Sequence, residues 1–192
     1  MHTLDALHKA EPRASITLVL PEEHFTTWNE LCKTHSFSLP HKKVAGGETR
    51  FLSVKSGLET LHSGLIAVHD GVRPLVSAAT IQRVFDAAEN TGAAVPVIDV
   101  NESVRSLGAA GSKALNRSDV KLVQTPQCFR YELMHKAFEQ DYTAQFTDCA
   151  SVLEANGVSI SLVEGNEENI KLTRPQDLAL ATWYVEHTHN LL

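Results

Sequence analysis

Three short clusters in the sequence gather residue types that handle anions. In the first, Gly46-Gly47-Glu48-Thr49-Arg50 and Ser53 stand at the start of an expected helix. Paired glycines let a backbone approach a ligand closely, and a helix N-terminus presents free N–H groups to an anion. A plain turn followed by a helix cap uses the same residue types. The second cluster is His69-Asp70-Gly71-Val72-Arg73-Pro74. A carboxylate at a strand end can hold Mg²⁺, which takes one or two carboxylates together with substrate phosphates. A guanidinium three residues later can fork onto a phosphate; the alternative is an internal Asp70–Arg73 pair that closes a turn. The third cluster runs from Glu168 to Pro175, where alternation sets Asn169, Lys171 and Thr173 on one face of a strand, opposite Ile170 and Leu172. A cation beside a hydroxyl suits an anionic oxygen, and a solvated edge strand has the same pattern. Arg117, Thr125-Pro126-Gln127 and Thr147-Asp148 give weaker signals alone.

Other chemistries find no support. The ten histidines, His187 and His189 among them, show no zinc-protease spacing, and most read as surface residues. No Walker loop, G-x-S-x-G elbow or dinucleotide fingerprint occurs. Cys32, Cys128 and Cys149 are odd in number and form no close pair, which argues against a disulfide framework and a structural zinc site and for a reducing cytoplasm. Cys128 and Cys149 read as inert small hydrophobes. Lys and Arg number 17 against 23 Asp and Glu, a net charge of −6. That balance argues against a nucleic-acid partner, whose binding needs a basic face. It leaves room for a small anionic substrate, which needs only local cations. No apolar run approaches the ~18–20 residues of a membrane span, and none follows a basic N-terminal segment.

At roughly 150 residues per domain, the chain is expected to form one domain over residues 1–192. The first ten residues set Leu4 and Leu7 on one helical face. Ile16–Leu20, Leu65–Val68 and Ala93–Ile98 read as buried strands, with Pro96 at a bulge or unpaired position. Phe25, Trp28, Leu31 and Cys32, then Val54, Leu58 and Leu61, then Ile81, Val84, Phe85 and Ala88 mark three amphipathic helices. The polar stretch of about 100–122 reads as a loop or a projecting hairpin arm. Thr147 is expected to cap a helix that Gly157 ends, Val158–Val163 forms a half-exposed strand, and a last helix opens at Pro175 with Thr173 near its cap. Strand and helix alternate, so the fold class is α/β: a Rossmann-like, mainly parallel sheet with flanking helices. Ligands of such sheets gather at the carboxyl ends of the strands, where the three clusters fall.

Taken in order, five segments resemble one family: Gly46 to Val54, Val68 to Pro74, Gln124 to Gln127, Phe146 to Asp148, and Glu164 to Asn166 continued by Asn169 to Thr173. The family is 2-C-methyl-D-erythritol 4-phosphate cytidylyltransferase, of the non-mevalonate route to isoprenoids, and the resemblance spans nearly the whole chain. It implies transfer of CMP from CTP to a sugar-alcohol phosphate with release of pyrophosphate. Gly47, Glu48, Arg50 and Ser53 match the segment that recognises cytosine and ribose, with Glu48 where many members have Asp. Asp70 matches the contact to the nucleotide and to Mg²⁺. Arg73, Ser103, Thr125, Thr147 and Thr173 match positions around the acceptor, Ser103 standing where the family has Asp-Thr-x-Lys. Arg117 and Lys171 match the cations that orient the acceptor phosphate. The stretch of about 100–122 matches the β-arm of a homodimer, whose partner chain then supplies some acceptor contacts.

The opening departs from the family pattern. Family members begin with a strand, a Gly-rich loop, an Arg and a Pro-Lys-Gln that hold the triphosphate; Met1-His2-Thr3-Leu4-Asp5-Ala6 resembles the helix after them. The family's first strand lies inside the sheet. Losing roughly eight ladder hydrogen bonds at ~0.5–1.5 kcal/mol each costs on the order of 4–12 kcal/mol, against a domain stability of about 5–15 kcal/mol. The chain as written is therefore expected to leave two strand edges open, and translation is expected to begin upstream or the chain to be a truncated product. Competing readings are a ribitol-5-phosphate cytidylyltransferase and a non-catalytic truncated remnant.

Overall fold

The computed structural model describes residues 1–109 and 111–187; His189 lies outside them. The chain begins with α1 (His2–Ala10), β1 (Thr17–Leu20), α2 (Phe25–Thr34), β2 (Lys42–Ala45), α3 (Arg50–Leu58), β3 (Leu65–Val68), α4 (Ala78–Thr91) and β4 (Ala93–Asp99). A hairpin of β5 (Arg105–Gly108) and β6 (Gly111–Ala114) follows. The chain then forms β7 (Lys121–Val123), β8 (Gln127–Arg130), α5 (Tyr131–Ala137), α6 (Cys149–Ala155), β9 (Ser161–Glu164) and α7 (Pro175–His187). No helix among the described residues is long and apolar enough to cross a membrane.

Strand β4 is the hub of the larger sheet. It pairs antiparallel with β8 through Ala93 and Ala94 and with β7 through Val97 to Asp99, and parallel with β9 on its other edge. Because β8 is also antiparallel to β3, strands β3, β4 and β9 point the same way. Strands β1 and β2 form a separate parallel pair. The α/β class with helix-flanked parallel main strands therefore holds, and β7 and β8 enter in the opposite sense. The arm explains that sense: the chain leaves β4 at Asp99, runs out through the β5–β6 hairpin and returns beside β4, as any hairpin must. Pro96 faces the step between β7 and β8, where β4 has no paired residue on that edge, and its carbonyl accepts the Gln124 N–H at 2.8 Å. A proline that donates nothing is tolerated at such a step.

Alternation along β4 and β8 sends side chains into two cores. Ala93, Val95, Val97 and Phe129 face a core shared with Phe51 and Leu58 of α3, Met134 of α5, and Val152 and Leu153 of α6. Ala94 and Cys128 face the other, where Val84 and Ala88 of α4 pack. Phe51 stacks on Phe138 at 4.8 Å and on Phe146 at 5.7 Å, which fixes the start of α3 against the loop before α6. Burying each phenyl ring contributes roughly 1.5–3 kcal/mol.

Several local expectations need correction. Helix α6 is capped by Asp148, not Thr147: the Asp148 carboxylate accepts the Ser151 N–H, and the Ser151 hydroxyl caps in return. Both residue types cap well, and only Asp148 has a hydroxyl at the third helical position to complete the box. Residues 169–173 form no ladder strand; they cross the ends of other elements, with Leu172 N–H bonded to the Val72 carbonyl. At the start of α7 it is Asp177 whose carboxylate accepts the Thr173 and Arg174 N–H groups, so the Thr173 hydroxyl donates to it and does not cap. Helix α3 ends before Leu61. Strands β2 and β8 and helix α5 had no clear pattern in the sequence. Strands β1 and β3 share no ladder with each other, so each shows one unpartnered edge among the described residues.

Candidate active site

The end of β3 and the start of α3 meet at Asp70. Its carboxylate lies 3.2 Å from Lys171 Nζ, 3.3 Å from Arg73 Nε and 3.9 Å from Arg50 Nε. One carboxylate is thus surrounded by three cations drawn from all three sequence clusters. Burial pulls the Asp70 carboxyl upward, but Lys171 above all, then Arg50 and Arg73, outweigh it and hold its pKa below the ordinary carboxylate value. The turn-closing Asp70–Arg73 pair is present, with the Arg73 N–H on the Asp70 carbonyl, and is one part of the larger cluster. The three cations exceed the single carboxylate, leaving a positive surplus suited to phosphate oxygens.

Each cation is held by a different device. Arg73 donates from Nη1 to the Asn169 carbonyl at 2.6 Å, which ties the turn after β3 to the segment that carries Lys171. Arg50, the first residue of α3, donates from Nη1 to Cys149 Sγ at 3.2 Å. Burial pushes the Cys149 thiol up to about 11, so it stays a neutral acceptor at neutral pH. Lys171 is exposed, and a long four-carbon stem lets such a cation exchange one anionic partner for another.

The Gly46-Gly47 turn sits against α3. A Cβ on Gly47 would stand 2.5 Å from the Leu52 Cβ, so only glycine fits. Ser53 Oγ bonds the Gly47 N–H and carbonyl, both at 3.2 Å, and Thr49 caps the helix by accepting the Leu52 N–H. Turn and helix cap are therefore one feature here. Glu48 is exposed at the turn.

Below the cluster, buried amides join the loops. Gln124 spans Asn166 and Asn169, and Asn166 accepts from Ser77 N–H and Thr80 Oγ1 at the cap of α4. Gln127 donates to Asp148 at 2.7 Å and accepts the Cys149 N–H. Asn169 donates to the Thr125 carbonyl, and its Oδ1 is buried without a partner among the described residues. The sequence alternation sets Asn169 beside Lys171 but gives Gln124, Gln127 and Asn166 no role, because an inward-facing amide has no period of its own. The Thr125–Pro126 peptide beside them is cis.

The remaining sequence candidates lie around this centre. Thr125 is buried and touches Asp70 through the Asp70 N–H. Thr147 is exposed next to Asp148, and Thr173 lies two residues beyond Lys171. Ser103 and Arg117 stand at the root of the arm, where Arg117 donates to the Asn101 carbonyl at 2.8 Å. No ion pair or hydrogen bond among the described residues joins those two to the Asp70 cluster. No group of three His, Cys, Asp or Glu among the described residues could hold a metal alone.

Comparison with known proteins identifies the family. The family model described as IspD: 2-C-methyl-D-erythritol 4-phosphate cytidylyltransferase matches residues 1–187. The protein of that name from Bacteroides thetaiotaomicron is 50% identical over 183 residues, covering 95% of this chain and 84% of its own. That from Bacteroides fragilis is 51% identical with the same coverage. Among solved structures, the 2-C-methyl-D-erythritol 4-phosphate cytidylyltransferase from Thermus thermophilus is 30% identical with a TM-score of 0.76, over 96% of this chain and 87% of that one. The 4-diphosphocytidyl-2C-methyl-D-erythritol synthase from Anaerococcus prevotii is 25% identical with a TM-score of 0.85, over 96% and 84%. Five ordered motifs, four of which meet at Asp70, and half-identical relatives along almost the whole chain lead to one conclusion: this chain belongs to the 2-C-methyl-D-erythritol 4-phosphate cytidylyltransferase family.

Proposed function

We propose that the chain transfers CMP from CTP to 2-C-methyl-D-erythritol 4-phosphate and releases pyrophosphate. The observation that carries the reading is the Asp70 carboxylate among Arg50, Arg73 and Lys171. The reaction must bring two anionic phosphates together, and a local surplus of cations offsets their repulsion. An oxygen of the acceptor phosphate attacks the α-phosphorus of CTP. The bond from that phosphorus to the bridging oxygen breaks, and pyrophosphate leaves with the electron pair. The attacking oxygen is already ionised, so no general base is required and catalysis rests on alignment and charge.

In this reading Gly47, Glu48, Arg50 and Ser53 hold the cytosine and ribose, and Arg73, Ser103, Thr147 and Thr173 surround the acceptor, with Thr125 buried behind Asp70. Lys171 leaves Asp70 for the acceptor phosphate and, with Arg117, orients it. Asp70 is the one carboxylate of the cluster, which fits a Mg²⁺ ion that takes most of its ligands from water and substrate phosphates. When bound, Mg²⁺ spreads the phosphate charge. The β5–β6 hairpin, exposed along both strands with Leu107 at 86%, is the proposed arm of a homodimer. Its root then carries Arg117 and Ser103 toward a shared site. Three free cysteines fit a cytoplasmic setting.

The test is product analysis by mass spectrometry with CTP and Mg²⁺, offering methylerythritol phosphate and ribitol 5-phosphate at equal concentration. The reading expects the CMP adduct of methylerythritol phosphate to dominate by at least about tenfold, the discrimination polar contacts provide. Equal adducts, or a ribitol adduct alone, overturn the acceptor assignment.

A further inference from the structure

His69, the residue before Asp70, takes no part in the proposed chemistry, yet both of its ring nitrogens are committed. Nε2 lies 3.0 Å from the Arg73 carbonyl. A carbonyl only accepts, so Nε2 carries the proton and donates. Nδ1 of the neutral ring is then an acceptor, and it lies 3.0 Å from Thr125 Oγ1. The Thr125 hydroxyl donates there and uses its oxygen to accept the Asp70 backbone N–H, also at 3.0 Å. Every donor in the series has one acceptor, and each direction follows from the one before it: Asp70 N–H to Thr125 Oγ1, Thr125 O–H to His69 Nδ1, His69 Nε2–H to the Arg73 carbonyl. The series is closed by the Arg73 N–H on the Asp70 carbonyl. Thr125 is held in turn by Asn169, whose side chain donates to the Thr125 carbonyl at 2.8 Å and whose own carbonyl takes the Arg73 guanidinium.

We propose that His69 and Thr125 are a positioning pair that fixes the backbone of Asp70 and Arg73 and so sets where the carboxylate and the guanidinium meet the phosphates. The proposal rests on the cytidylyl-transfer reading of the same site. Neither side chain needs to touch substrate for this role. Because alignment errors of about 1 Å can cost on the order of 100-fold in rate, loosening the pair lowers turnover more than it weakens substrate binding. The alternative role of Thr125, direct contact with the acceptor, makes the opposite demand, since its loss then raises the acceptor KM and leaves turnover nearly intact.

The experiment uses the 192-residue chain with ¹⁵N-labelled histidine, and the Thr125→Val, Thr125→Ser and His69→Phe variants. Long-range ¹⁵N–¹H spectra of the imidazoles report which ring nitrogen carries the proton, independently of activity. The expected wild-type signature for His69 is a protonated Nε2 and a hydrogen-bonded bare Nδ1. Thr125→Val shifts Nδ1 toward an unbonded value, and Thr125→Ser restores it. In the transfer assay, Thr125→Val and His69→Phe each lower kcat by about tenfold or more with the acceptor KM changed less than about threefold, and the double variant loses no more than either alone, as members of one unit do. Thr125→Ser keeps the wild-type kcat within about threefold. A His69 proton on Nδ1, or a Thr125→Val effect confined to the acceptor KM, overturns the pair. If His69→Phe fails to fold, the two threonine variants and the wild-type spectrum still decide. The expected spectra with no transfer by the wild-type chain leave the hydrogen-bonded pair standing and count against the cytidylyl-transfer reading itself.

Discussion

At the scale of single residues, Asp70 gathers three cations and, in the proposed reading, also offers a ligand to a nucleotide-bound metal. Asp70→Asn keeps the size and removes the charge. Arg50, Arg73 and Lys171 then repel one another, and transfer is expected to fall by about 100-fold or more, in line with the loss of a preorganised charge. Steady-state kinetics check this, and a variant within about threefold of wild type removes Asp70 from the reaction. The thiols give a second prediction. Burial pushes Cys128 up to about 12 and Cys149 up to about 11, whereas Cys32 is only partly buried. A thiol reagent at about pH 8 is expected to label Cys32 alone in the folded chain and all three after denaturation. The charged members of the site were legible in the sequence because Arg50, Asp70, Arg73 and Lys171 stand in unusual polar runs at element ends. Gln124, Gln127 and Asn166 were not read as site residues, since their work depends on partners roughly 20 to 90 residues away that no local pattern encodes.

At the scale of elements, the loop after β9 depends on a close approach that sequence hides. A Cβ on Gly165 would stand 2.3 Å from Gln124 Oε1 and 3.2 Å from the Val97 carbonyl. Gly165→Ala must therefore displace Gln124 from both Asn166 and Asn169, and is expected to cost about 1–3 kcal/mol. Urea unfolding measures it, and an unchanged midpoint contradicts the packing described. Strands β1, β3 and β4 were readable from β-branched runs, and α2 and α4 from their apolar period. Strand β8 was not: Gln127-Cys128-Phe129-Arg130 is four residues long, polar at both ends, and passes straight into α5. What makes it a strand is its place between β3 and β4, a non-local fact. The shift of the α6 cap from Thr147 to Asp148 has the same character, because two adjacent residues can cap and the choice lies in which box closes.

At the scale of the whole molecule, alternating strands and helices disclosed the α/β class, while the sense of β7 and β8 became clear only from the arm that returns the chain beside β4. Stability follows from the buried thiols in a direction that can be worked out. Both fold with a pKa raised above the ordinary 9.0, so above pH 9 the unfolded chain has lost protons that the folded chain keeps. Stability is therefore full below 9 and is lost as pH rises toward 11, with a slope of up to about 1.4 kcal/mol per pH unit for each thiol. Thermal midpoints across about pH 8 to 11 test this, and substitution of both cysteines by Ala should flatten the profile. CMP transfer at the Asp70 cluster is the claim on which the rest depends. Its most direct measurement is pyrophosphate release from CTP and Mg²⁺ with and without methylerythritol phosphate. Release is predicted to depend strictly on the acceptor. Release that ignores the acceptor, or no release at all, contradicts it.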